Sequence, residues 1–231
     1  MPATDVTKID AVLVAAGPLP VRAATRLRVQ IAAAPESLLV GVDGGAAALT
    51  ALGVLPHVVT GDGDSLSHAA RHELAERGAR IVPTPDQNFT DLDKALAYVL
   101  EMGGRVVRVF GATGGRLDHT YSALSAVLKH ARARPDADIR LVDEWGETFA
   151  LNTFVTLSGL DLPGRVLSLL ALGPVSDVWT TGVRWPLPGD ALAPGVRDGT
   201  LNEVTETVVT IQTGAGDLLV LLGHAQRSSR P

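Results

Sequence analysis

A chain of 231 residues can form one large domain or two modest ones, each with its own core. Its 25 acidic and 20 basic residues give a formal net charge of −5, which excludes a sequence-independent grip on nucleic acid or on an anionic membrane. Cysteine is absent, which excludes disulfides, thiolate metal sites and a cysteine nucleophile, and fits a reducing cytoplasm.

Met1 to Asp10 carries acids and lacks the basic start and long apolar stretch of a signal peptide. Ile9 to Ala16 is apolar but too short to span a bilayer, so a cytoplasmic protein is expected. Ala11 to Ala15 reads as a buried strand ending at Gly17-Pro18, and Val21 to Ala33 as an amphipathic helix with arginines at 22, 26 and 28 on its wet side. Leu38 to Val42 is the second strand and delivers Asp43-Gly44-Gly45 to a short alanine-rich helix. His57 to Thr60 is the third, placing Asp62 and Asp64 just past its C-terminal end, where open parallel sheets bind ligands. Leu66 to Gly78 is a helix and Arg80 to Val82 a strand. Thr90 and Asp93 have the spacing of a capping box at the start of a helix over 91–102. Arg105 to Phe110 is a strand, 111–119 a glycine-rich loop, Thr120 to Ala133 a helix and Ile139 to Val142 a strand. Short strands alternating with helices predict a mostly parallel sheet with helices on both faces over residues 1–142.

From 143 to 231 the rhythm becomes β-branched segments punctuated by glycine and proline. Strands are expected over 153–157, 165–172, 176–180, 206–212 and 217–222, forming an antiparallel sandwich or barrel, with a frayed tail from Gln226. All three tryptophans, at 145, 179 and 185, fall here, and a β-domain tryptophan is ordinarily core.

The chemistry concentrates in the first part. Asp62 and Asp64, at i and i+2 in Gly61-Asp62-Gly63-Asp64-Ser65, project to one side of an extended segment and can share a hard cation. Asp91, at the start of a helix, supplies a third carboxylate or complements the helix dipole. The loop Gly111 to His119 lies between strand and helix, so its amides can receive phosphate, and Gly114 and Arg116 fit that role. Asp118 can hold Arg116, bind metal or cap the helix; His119 is a weaker candidate. Asp43 is a ligand-site acid or a cap, and Gln87 and Lys94 frame the third carboxylate. There is no P-loop motif, no dinucleotide fingerprint and no nucleophile elbow.

Taken in order, Asp43-Gly44-Gly45-Ala46, Gly61-Asp62-Gly63-Asp64-Ser65, Gln87-Asn88-Phe89-Thr90-Asp91-Leu92-Asp93-Lys94 and Gly111-Ala112-Thr113-Gly114-Gly115-Arg116-Leu117-Asp118-His119 closely resemble the thiamine pyrophosphokinase family. The resemblance continues weakly through Thr180 to Leu187 and Asn202-Glu203. It implies a catalytic α/β domain, a β domain that binds thiamine and forms the dimer, and a homodimer. The implied reaction transfers pyrophosphate from ATP to the thiamine hydroxyl with Mg2+, giving thiamine diphosphate and AMP. It also implies Asp62, Asp64 and Asp91 as the metal and catalytic centre and Gln87, Arg116 and Asp118 on the nucleotide. By type and placement Asp43, Lys94, Gly114 and His119 join the nucleotide side, and Thr200, Asn202 and Trp185 are candidates for the acceptor. The chain departs from the family at Gly63, where phenylalanine is usual, at Ala123, where asparagine is usual, and at Leu201, where serine is usual. Alternatives are a pyrophosphokinase for another hydroxymethyl heterocycle such as a pterin, a non-catalytic nucleotide or thiamine binder, and a metal-dependent phosphohydrolase.

Overall fold

The computed structural model describes residues 9–61 and 66–225 and divides the chain into two compact units, 1–144 and 145–231. The first unit carries strands β1 (Ala11–Val14), β2 (Leu38–Val42), β3 (Val58–Gly61), β4 (Arg80–Pro83), β5 (Val106–Phe110) and β6 (Asp138–Val142). Between them run helices α1 (Val21–Ala33), α2 (Gly45–Ala51), α3 (His68–Glu76), α4 (Asp91–Glu101) and α5 (Leu117–Ala133).

The strands of this unit pair in parallel in the order β6-β5-β1-β2-β3-β4. Successive residues of β1 face opposite sides, yet Val12, Leu13 and Val14 are all buried, as a sheet covered on both faces requires. Val12 and Val14 join Leu27 of α1, Leu49 of α2 and Phe110 in one core layer. On the sheet's other residues α4 packs against β2 and β3, and α5 against β6. Each fully buried leucine or valine stabilises this arrangement by about 1.5–3 kcal/mol relative to exposure.

The sheet order places β1 centrally, with its neighbours β2 and β5 reached by connections on opposite sides. The crevice therefore opens at the C-terminal ends of β1, β2 and β5, where the chain leaves one branch for the other. Backbones pack closely there. Gly17 N donates to Gly111 O at 2.8 Å, and a Cβ on Gly17 would stand 2.3 Å from that oxygen. A Cβ on Gly45, the first residue of α2, would meet Val14 O at 1.8 Å, so only glycine lets this helix start so near β1.

The second unit contains β7 (Gly146–Leu151), β8 (Phe154–Ser158), β9 (Val166–Ala171), β10 (Val175–Thr181), β11 (Pro188–Leu192), β12 (Gly199–Glu203), β13 (Val208–Gln212) and β14 (Leu218–Gly223). They pair antiparallel as β12-β9-β14-β7 and β11-β10-β13-β8. Their inner faces share a core that includes Phe149, Leu169, Leu218 and Val220 from the first set and Leu157, Val178, Val209 and Ile211 from the second. The α/β unit followed by an antiparallel β unit is the fold class expected from the sequence.

The tryptophans depart from expectation. Trp145, Trp179 and Trp185 are exposed, and aliphatic side chains fill the core in their place. Three strands, β7, β11 and β12, lie outside the expected set, and α5 begins three residues earlier than the expected Thr120.

Candidate active site

A cleft of about 520 Å3 lies in the first unit, over the C-terminal ends of β1, β2 and β5. Its lining includes Asp43 after β2, Gln87, Phe89, Thr90 and Asp91 at the entry to α4, Lys94 one turn on, and Arg116 and His119 at the entry to α5. The size suits a drug-sized or nucleotide-sized ligand. Helices α4 and α5 both start at this cleft, so unpaired amides and the positive ends of two helix dipoles stand at its edge.

The α4 entry is built tightly. Thr90 Oγ1 accepts from Asp93 N at 3.3 Å and caps the helix. The expected capping box is only half formed, because the Asp93 carboxylate turns away to His130 and Lys129. Lys94 Nζ donates to Thr84 O at 2.7 Å and Asp86 O at 3.0 Å, and lies 2.8 Å from Asp91 Oδ1. Its side chain is 10% exposed, so its ammonium is a pin that closes the 84–91 segment: it donates to Thr84 O and Asp86 O and counters the charge of Asp91 as an ion pair.

At the α5 entry, Arg116 and Asp118 form a fork. Nε donates to Oδ1 at 3.1 Å and Nη2 to Oδ2 at 2.5 Å, and His119 N also donates to Oδ1, at 2.9 Å. These hydrogen bonds hold the Asp118 carboxyl down to about 2 and push the Arg116 guanidinium up. Of the three roles open to Asp118 from sequence, the geometry favours holding the arginine. Arg116 sits at the N-cap position, without a side-chain cap. Thr113 Oγ1 donates to Asp143 Oδ2 at 3.0 Å and ties the loop to the end of β6.

The cleft thus brings together Asp43, Gln87, Asp91, Lys94, Arg116 and His119, while Gly114 and Asp118 stand outside its lining. Asp43 has φ of 49°, and Gly44 occupies the N-cap position of α2. Asp62 and Asp64 lie outside the described residues. Among the described residues no cluster of three or more metal-ligating side chains is assembled. Asp43 and Asp91 nonetheless present hard carboxylate oxygens to the cleft, the donor chemistry that magnesium takes.

Thr200, Asn202 and Trp185 lie in the second unit. Asn202 clasps the backbone of Trp185 from both sides, accepting from its N at 3.1 Å and donating to its O at 2.7 Å. Thr200 N and Oγ1 donate to Asp198 Oδ1 at 3.1 and 2.6 Å, which lowers the Asp198 carboxyl. Leu201 is 75% exposed at φ 60°, a left-handed conformation costly for leucine. The sequence singles out Thr90 only as a helix cap and gives no role to Phe89 or Thr113, which also line the cleft. Phe89 sits within the Gln87–Asp91 motif, and that proximity is the available signal.

Fold and lining together define a class: a parallel α/β unit with a cleft at its strand ends, followed by an antiparallel β unit. Residues 30–139 match the family "Thiamin pyrophosphokinase, catalytic domain" and residues 155–218 match "Thiamin pyrophosphokinase, vitamin B1 binding domain". Thiamine pyrophosphokinase of Bacillus subtilis is 26% identical over 188 residues, 80% of this chain and 87% of that protein. Thiamine pyrophosphokinase 1 of Oryza sativa is 29% identical over 177 residues, 71% of this chain but 64% of the rice protein. The crystal structure of thiamin pyrophosphokinase from Geobacillus thermodenitrificans aligns with a TM-score of 0.76 at 26% identity, covering 94% of this chain and 98% of that one. The chain belongs to the thiamine pyrophosphokinase family.

Proposed function

We propose that the protein transfers pyrophosphate from ATP to the hydroxyl of thiamine, giving thiamine diphosphate and AMP. The observation that carries this reading is the cleft at the C-terminal ends of β1, β2 and β5, lined by Asp91, Gln87 and Arg116 within a chain of this family. ATP is the donor, Mg2+ the metal, and a cytoplasmic homodimer without nucleic-acid or membrane partners the working form. Among the described residues no helix is long and apolar enough to cross a membrane.

In the proposed reaction the thiamine hydroxyl oxygen bonds to the β-phosphorus, the bond from that phosphorus to the α–β bridging oxygen breaks, and AMP leaves with the bridging oxygen. Catalysis of such a step rests on positioning and charge neutralisation. Asp62, Asp64 and Asp91 would hold Mg2+, which supplies neutralising charge on the phosphate oxygens. Arg116, aligned by Asp118, donates to phosphate through the guanidinium N–H groups not taken by the fork. Lys94 acts by holding the Asp91 carboxylate in place through their ion pair. Asp62 accepts the hydroxyl proton. Gln87, Gly114 and His119 complete the nucleotide side, with Asp43 at its edge. Trp185, Thr200 and Asn202 serve the acceptor, as the match of their segment to the vitamin B1 binding domain supports.

The test is AMP formation by purified protein from ATP and Mg2+, with thiamine, with a hydroxymethyl pterin and with no acceptor. Thiamine-dependent AMP is the expected result. AMP only with the pterin would replace the acceptor, and phosphate release without any acceptor would make the protein a hydrolase.

A further inference from the structure

A charged cluster lies between α4 and α5, behind one wall of the cleft. Asp93 is 7% exposed, and both its oxygens are bound: His130 Nε2 donates to Oδ1 and Lys129 Nζ to Oδ2, each at 2.6 Å. A carboxylate this buried is tolerated only when so paired. The pairing alone would explain a structural lock between two helices.

The other side of Lys129 does something more. Its ammonium sits 3.9 Å from the centroid of the Phe89 ring, a cation–π contact. Phe89 lines the cleft, 49% exposed, in the segment that also carries Gln87, Thr90 and Asp91. The Asp93–Lys129 pair therefore props up a cleft wall from behind. Asp93 fixes the ammonium, the ammonium fixes the ring, and the ring fixes the Gln87–Asp91 segment against α5, whose own first turns form the facing part of the lining.

We propose that Lys129 is a positioning residue for nucleotide binding, acting through Phe89 on the Gln87–Asp91 segment. The proposal rests on the reading of this cleft as the ATP site. A partly exposed cation–π contact holds a geometry to the extent of about a threefold to tenfold change in affinity.

The test measures ATP binding by calorimetry, without acceptor, for the wild type, Lys129→Met, Lys129→Arg, Phe89→Leu and the double variant Lys129→Met/Phe89→Leu. Lys129→Met keeps the chain length and removes the charge, and Phe89→Leu changes a half-exposed side chain, so at least one of the two folds. The expected result is ATP affinity lower by threefold to tenfold in each single neutral variant, no further loss in the double variant, and recovery in Lys129→Arg. A purely structural lock would lower the melting temperature and leave ATP affinity within twofold of wild type, which overturns the proposal. Penalties that multiply in the double variant overturn it too, because the two residues would then act separately. Wild-type protein that binds ATP but makes no thiamine diphosphate would remove the proposed acceptor and leave the role of Lys129 intact. Wild-type protein that binds no ATP overturns both.

Discussion

Replacing Lys94 by methionine tests how the third carboxylate is held. The substitution preserves the stem and deletes an ammonium that meets Thr84 O, Asp86 O and Asp91 Oδ1 at 2.7, 3.0 and 2.8 Å. Asp86 O is exposed, so water replaces that bond at small cost. Thr84 O is part-buried and the Asp91 side chain is 26% exposed, so these two lose a charged partner that water only partly replaces. Together they cost about 2–3 kcal/mol of local order after allowance for screening. The assay is hydrogen exchange at the amides of Thr84 and Asn88, which donate to Gly61 O at 3.1 Å and Asp86 Oδ1 at 2.9 Å. Their opening should increase about 30-fold to 150-fold, and turnover should fall at least tenfold as Asp91 drifts. Lys94→Arg should not rescue, because a planar fork cannot converge on three acceptors arranged around a compact ammonium. Exchange and turnover within twofold of wild type would refute the pin.

Other outcomes follow from the same geometry. Arg116→Lys loses the two-point fork onto Asp118 and should raise the KM for ATP about tenfold, checked by steady-state kinetics. Asp118 is depressed to about 2 by Arg116, so its favourable pairing is complete above about pH 4 and is lost only as pH falls through the folded value. NMR of its carboxyl carbon should therefore show no titration between pH 4 and 8, and a midpoint near 4 would contradict the fork. Leu201→Gly relieves a left-handed leucine and should raise the stability of the second unit by about 0.5–1 kcal/mol in denaturant unfolding, whereas a loss of stability would count against strain there.

The parallel core was legible because β1, β2 and β5 are short apolar runs ending at glycine or aspartate, and the helices between them carry a plain amphipathic period. β12 was not, since Gly199-Thr200-Leu201-Asn202-Glu203 has no alternation and its register shifts between Gly199 and Asn202. β11 opens on Pro188 and Gly189, which read as a turn. The start of α5 is hidden in the sequence because Arg116 occupies the cap position without any side-chain cap to signal it. Among the site residues, Asp43, Gln87, Asp91, Arg116 and His119 stood out by type and spacing, and all line the cleft. The role of Lys94 did not, because its partners are backbone carbonyls of Thr84 and Asp86, which no side-chain pattern reveals. The Asp93 pairing was hidden for a different reason: its partners lie 36 and 37 residues away on α5.

The most direct test of pyrophosphoryl transfer to thiamine uses thiamine labelled with 18O in its hydroxyl group, incubated with ATP, Mg2+ and the purified protein, with products resolved by mass. One AMP is expected for each thiamine diphosphate, with all of the label in the thiamine diphosphate. ADP as the coproduct, label in AMP, or no labelled diphosphate would contradict it.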